Sequence, residues 1–139
     1  MNLTEYRALG KKKNKHHAVI TIVDGEKFHS KKEADRWCEL RIAEKKGLIS
    51  NLRRQVPYEL IPAQYEEVYI DEVYKRGPNK GKRKKKKVCV EQSVVYYADF
   101  VYDVNGETIV EDVKGQKLPD YIIKRKLMLY IHRIKVVER

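Results

Sequence analysis

Cysteine is almost absent: Cys38 and Cys89 are the only two in 139 residues. Two thiols cannot build a disulfide framework or a four-ligand zinc cluster, and such sparing use predicts a reducing, cytoplasmic setting. Long apolar runs are missing as well. No stretch is long enough to span a bilayer, and the opening MNLTEYRALGKKKNKHH lacks the apolar segment of a signal peptide, so neither export nor a membrane partner is expected. The sequence has no GxSxG, no Walker loop and no CxxC, and His29 and His132 have no nucleophile to serve. Those absences exclude a triad hydrolase, a P-loop NTPase and a dithiol redox enzyme. Acid is in deficit too, with 20 Asp and Glu against 31 Lys and Arg, a formal charge of +11. Such a balance favours a polyanionic partner.

The length suits one domain with a single core. Residues 1–17 have no apolar period and read as a flexible basic arm carrying Lys11, Lys12, Lys13 and the pair His16-His17. Residues 18–139 then form the domain. AVITIV, Asp24-Gly25 and EKFHS predict a β-hairpin around a type I′ turn. SKKEADRWCELRIAEKKG predicts a helix in which Ser30 is the N-cap, Glu33 completes a capping box and Gly47 stops the chain; Glu33 also heads the inward stripe of Trp37 and Leu40. LRRQVPYELI reads as a strand that Pro57 confines to an edge or a bulge. YEEVYIDEVY (65–74) and KKVCVEQSVVYYADFVY (86–102) read as the two arms of a long hairpin. Its tip, residues 75–87, is expected to be mobile and irregular, with Lys75, Arg76, Lys80, Lys82, Arg83, Lys84, Lys85, Lys86 and Lys87 as candidate phosphate contacts. Pro119 suits the first turn of a helix through DYIIKRKLMLYI, and HRIKVVER closes as a short strand. The core order is helix, three strands, helix, strand, an α/β layout.

The sharpest pattern is acidic. Asn105-Gly106 is the strongest hairpin signal in the chain, and a two-residue turn there pairs positions that sum to 211, setting Asp99 opposite Asp112. Such partners share a face with Cβ atoms roughly 4.5–5.5 Å apart, and two-residue periodicity adds Lys114 to that face. Like charges so placed destabilise a strand pair, and burial worsens the cost. A shared proton, Lys114 or a hard divalent cation would each offset it, the cation best. Solvated acids near strand ends paired to local lysines are the plainer alternative. A three-residue turn with a bulge would instead slide Glu111 towards the site.

ADF followed by VEDVKG, with a glutamate on the preceding helix, resembles the PD-(D/E)XK nuclease superfamily. The run from FHSKKEADRWCEL through GLISNLRRQVPYEL to EDVKG and YIIKRKL is similar to a phage-encoded branch of it, including small Holliday junction resolvases. The resemblance spans roughly residues 28–138, departing from the common motif in Ala98, which stands where the motif has Pro, and in using Asp as the second acid. It implies a restriction-endonuclease-like αβββαβ core with a mixed central sheet between helices. It further implies Mg²⁺ or Mn²⁺ on Asp99, Asp112 and the Val113 carbonyl, Glu33 reaching the metal through water, and Lys114 orienting the attacking water. Gln55, Tyr121 and Lys124 are supporting candidates, Gln55 also readable as a buried glutamine bonding backbone and the other two as an ordinary solvated face; capping alone would also explain Glu33.

The expected activity is metal-dependent hydrolysis of DNA phosphodiesters. No sequence-reading module is apparent, so selection by DNA shape, such as a branch or junction, is expected. Junction cleavage would suit a homodimer, and a phage-encoded chain would work in the host cytoplasm. Two other readings share the same residues: a basic DNA-binding protein without catalysis, and an RNA-processing nuclease.

Overall fold

Both Xaa-Gly turns form as read. In the computed structural model, which describes residues 20–139, Asp24 and Gly25 have φ of 50° and 80°, and Asn105 and Gly106 have 50° and 82°. Asp and Asn tolerate this left-handed backbone and glycine meets no Cβ penalty there, so each turn closes in two residues. The first joins β1 (Thr21–Val23) to β2 (Glu26–Phe28), and the second joins β6 (Val94–Val104) to β7 (Glu107–Asp112). The basic arm 1–17, with Lys11, Lys12, Lys13 and His16-His17, lies outside the described residues.

Helix α1 (Lys31–Lys45) starts where Ser30 takes an extended backbone and its Oγ accepts the Glu33 N–H at 3.1 Å. The Glu33 carboxylate reaches back one residue further than a standard capping box, accepting the His29 N–H at 3.2 Å. Glu33, Ala34, Trp37 and Leu40 form its buried face. Helix α2 (Pro119–His132) carries Pro119 in its first turn, where a missing N–H costs nothing.

Strand β3 (Ser50–Ile61) is the edge of a four-stranded sheet ordered β3-β6-β7-β8, with β8 being Val137–Glu138. The edge position accommodates Pro57. The first three strands run antiparallel to their neighbours, and β8 lies parallel to β7 after the α2 crossover. The chain is therefore mixed α/β, mostly strand, with a mixed sheet between two helices. One cluster, of Phe28, Ala34, Trp37, Leu40, Phe100, Tyr102 and Val113, lies under α1. The other gathers Tyr96, Ala98, Val101 and Val110 against Tyr121 and Met128 of α2. No helix of the described residues is long and apolar enough to cross a membrane.

The expected strand 86–102 is instead two strands. Strand β4 (Gln64–Val73) pairs with β5 (Arg83–Glu91) as a separate two-stranded ribbon, and Gln92-Ser93 divides β5 from β6. The ribbon prolongs the β3–β6 pair, because Ile61 faces Val94 and Gln64 faces Glu91; Pro62, lacking an N–H, interrupts the ladder between them. The irregular stretch is also shorter than 75–87, since Arg83–Lys87 lie in β5. Charge explains the difference: Arg83 pairs with Asp71 at 3.3 Å, Lys84 with Glu72 at 3.0 Å and Lys85 with Glu67 at 3.7 Å, so acidic β4 draws into a strand basic residues expected to be irregular. The remaining tip is tied by its own backbone bonds, among them Gly81 N–H to the Tyr74 carbonyl at 2.9 Å.

Candidate active site

The β6–β7 register pairs Val104 with Glu107 and Phe100 with Glu111, each summing to 211 as the two-residue turn requires. One step further along the same register are Asp99 and Asp112. Asp112 is fully buried, and the Val113 N–H donates to Asp99 Oδ2 at 2.8 Å, stapling the first acid to the strand of the second. Lys114 Nζ lies 2.9 Å from Asp112 Oδ1. The same ammonium sits 4.8 Å above the Tyr121 ring, held between a carboxylate and a π-face. The two acids and Lys114 thus meet at the end of β7.

Alternation alone does not build this site. Tyr96 and Ala98 belong to the cluster under α2, whereas Phe100 and Tyr102, of the same parity, belong to the one under α1. In β3 the same change separates Leu52, under α1, from Val56 and Tyr58, under α2. Between them, opposite Asp99, Gln55 holds φ at 47°, left-handed backbone that a non-glycine residue rarely takes in a strand. Beside this kink the Tyr96 phenol donates to Asp112 Oδ2 at 2.6 Å, and Gln55 Nε2 donates to Asp99 Oδ1 at 3.2 Å. Sequence reasoning missed Tyr96, because period two gives no sign of the kink.

The other candidates separate clearly. Glu33 is buried on α1 and close enough for its charge to act on Asp99. The guanidinium of Arg54 lies 3.8 Å from Glu33, stacks 3.9 Å over Phe28 and bonds to Glu26. Arg54, an unflagged neighbour of Gln55, is thus the counter-charge of the helix acid. Glu111 faces the opposite way. Arg36 grips it through two bonds of 2.6 and 3.0 Å, the Tyr102 hydroxyl donates at 2.8 Å, and Arg139 lies at 3.5 Å. Burial opposes its charge, but Arg36 and Tyr102 outweigh that and hold its carboxyl below the usual range. The Tyr121 hydroxyl is engaged by Glu138 at 3.0 Å, which leaves its ring, under Lys114, as its contribution. Lys124 is half-buried on α2 and joins none of these contacts.

Electrostatically the pair is unsettled. Burial foremost, and the neighbouring Asp112, push the Asp99 carboxyl up to about 7, against the lowering pull of the Val113 N–H. Asp112 Oδ1 and Glu33 Oε1 are buried without a hydrogen bond; Lys114 approaches the former at ion-pair distance but outside hydrogen-bonding direction. Unsatisfied buried oxygens are costly, and a hard cation is the ligand that such oxygens satisfy. Among the described residues no three His, Cys, Asp or Glu side chains converge as a metal cage. Two carboxylates with open positions for water match the way Mg²⁺ is held, so the residues fit a hard divalent ion.

A stability prediction follows from Asp99. Its carboxyl in the folded chain stands near 7 instead of the ordinary 3.8, so the folded state retains a proton that the unfolded state releases. Stability from this group is complete below about pH 4 and is lost as pH rises through about 7, with a slope of at most about 1.4 kcal/mol per pH unit. Glu111 and Glu138 shift downward and act below pH 4.5, outside that window. Metal-free protein is expected to melt at a lower temperature at pH 8 than at pH 5.5. A flat profile would contradict the raised carboxyl.

A family model described as protein of unknown function (DUF1064) matches residues 13–137. The chain belongs to the DUF1064 family. No curated protein and no solved structure matches it. The DUF1064 match takes in both acids, Lys114, Glu33 and the whole β4–β5 ribbon.

Proposed function

We propose that this DUF1064 chain is a Mg²⁺- or Mn²⁺-dependent DNA endonuclease on a restriction-endonuclease-like core. One observation carries the reading: Asp99 and Asp112 stand side by side at the end of the central hairpin, with a buried Asp112 oxygen unbonded and Lys114 beside it. The element order supports it, since removing the β1–β2 hairpin and the β4–β5 ribbon leaves α1, β3, β6, β7, α2 and β8, the αβββαβ sequence the resemblance implies.

Asp99, Asp112 and the Val113 carbonyl would hold the ion, with Glu33 acting through water. A bound Mg²⁺ or Mn²⁺ supplies Lewis acidity towards a phosphate and a water of lowered pKa. The chain does the rest. Tyr96 and Gln55 orient the two carboxylates, each through one bond. Lys114, steadied over Tyr121, aligns the attacking water and stabilises charge on the phosphate oxygens. Lys75, Arg76, Lys80 and Lys82 at the ribbon tip supply salt-sensitive phosphate contacts. Branched DNA is the proposed substrate, and a homodimer would present two sites to opposite strands.

The test is plasmid nicking. Supercoiled DNA is expected to be nicked with Mg²⁺ or Mn²⁺ and left intact in EDTA. Tight DNA binding with no nicking under any divalent ion would replace this reading with a non-catalytic DNA binder, and cleavage confined to RNA would replace it with an RNA nuclease.

A further inference from the structure

The outer ribbon carries a second concave surface, remote from the acids in the fold. Where β4 and β5 meet the tip, a depression of about 760 Å³ is lined by Tyr69, Tyr74, Lys82, Arg83 and Lys85, with Glu67 the one acid among its lining residues. The tyrosines are 60% and 38% exposed. A two-stranded ribbon has no core of its own in which to bury them. Cations border their rings instead: Lys85 lies 5.3 Å and Arg83 5.6 Å from the Tyr69 centroid, and Lys84 lies 5.9 Å from that of Tyr74.

The charge here is available to a ligand. The pairs of Arg83 with Asp71 and of Lys85 with Glu67 join exposed side chains, and such pairs contribute little and exchange readily. At the tip, Lys75, Arg76, Lys80 and Lys82 form no ion pair among the described residues, whose ribbon pairs are those of Arg83, Lys84 and Lys85, and residues 74–82 contain no acid. Exposed aromatic rings bordered by loosely paired cations, beside a tip of cations without an acid partner, match a single nucleic-acid strand, whose unstacked bases lie on the rings while its phosphates meet the charges. A duplex keeps its bases stacked and would engage the cations alone.

We propose that this end of the ribbon binds unpaired nucleotides of DNA, Tyr69 and Tyr74 stacking on bases and Lys82 and Arg83 contacting phosphates. The proposal deepens the nuclease reading by naming the unpaired strand of a branch as what the ribbon holds.

The test is fluorescence anisotropy in EDTA, using labelled oligothymidylate of about 15 nucleotides and a blunt duplex of the same length. Wild-type protein is expected to bind the single strand more tightly. Tyr69→Leu should weaken that binding at least about fivefold and leave duplex affinity unchanged, while Tyr69→Phe binds as wild type. Lys82→Ala with Arg83→Ala should lower the single-strand salt slope by about 0.7 for each phosphate no longer neutralised. Wild-type affinity in Tyr69→Leu, or an equal loss on duplex, would overturn the proposal. EDTA excludes metal-dependent cleavage, so the result is independent of whether the acids hydrolyse DNA.

Discussion

Replacing Asp112 with Asn is expected to reduce metal-dependent nicking by about a thousandfold or more while leaving the fold intact. The proposed metal site has two carboxylates, and Lewis-acid assistance amounts to several kcal/mol, each 1.4 of which is tenfold in rate. The amide keeps the shape of the carboxyl and can still accept the Tyr96 hydroxyl, now 2.6 Å from Oδ2, so packing survives. Stability should move the opposite way. Asp112 is the cause, second to burial, that lifts the Asp99 carboxyl, and without it that carboxyl falls part of the way back while burial still holds it raised. The metal-free variant is therefore expected to melt above wild type at pH 8 and to show a shallower pH dependence than the one described above. Plasmid nicking and thermal melts at pH 5.5 and 8 check both halves. A variant that is inactive and also less stable at pH 8 would point to an acid whose role is to hold the fold together.

Arg36→Met is expected to have the largest effect on folding. The Glu111 side chain is completely buried, and Arg36 supplies two of its hydrogen bonds. Removing one partner of a buried pair leaves an uncompensated charge, at a cost of about 3–5 kcal/mol. In a domain of this size that is a fall in melting temperature of roughly 10–20 °C. Burial is the largest influence on the Glu111 carboxyl, so with Arg36 gone its pKa should rise and the deficit deepen as pH increases. Adding Glu111→Leu should restore much of the loss, because similar-sized apolar residues often replace a buried pair at little cost. Thermal or urea melts of the two variants decide it. A loss under about 1 kcal/mol in Arg36→Met would show that Arg139 and Tyr102 suffice for Glu111.

Local chemistry made much of this architecture legible. Asn105-Gly106 admits a two-residue turn, and that turn dictates the pairing that brings Asp99 to Asp112. Ser30, Pro119 and Pro57 likewise mark helix starts and an edge through their own backbone preferences. What escaped depends on partners far along the chain. Arg36 and Glu111 are 75 residues apart, and no spacing rule joins them. The lysines of β5 read as part of an irregular tip because the acids that hold them in a strand come from β4, on the other side of that tip. The face parity of β3 and β6 changes beside Asp99, where Gln55 holds its left-handed backbone, so Tyr96 reads as merely apolar. In the sequence the choice between Glu111 and Asp112 turns on register and on the face Asp112 shares with Lys114; in the fold Arg36 of α1 holds Glu111 on the far face.

The most direct measurement is anomalous diffraction from crystals soaked in Mn²⁺. The expected result is a peak beside the Asp99 and Asp112 carboxylates, Lys114 Nζ displaced from Asp112 Oδ1, and no peak in Asp112→Asn. Wild-type crystals with no manganese there, the two carboxyls sharing a proton and Lys114 still seated on Asp112, would contradict it.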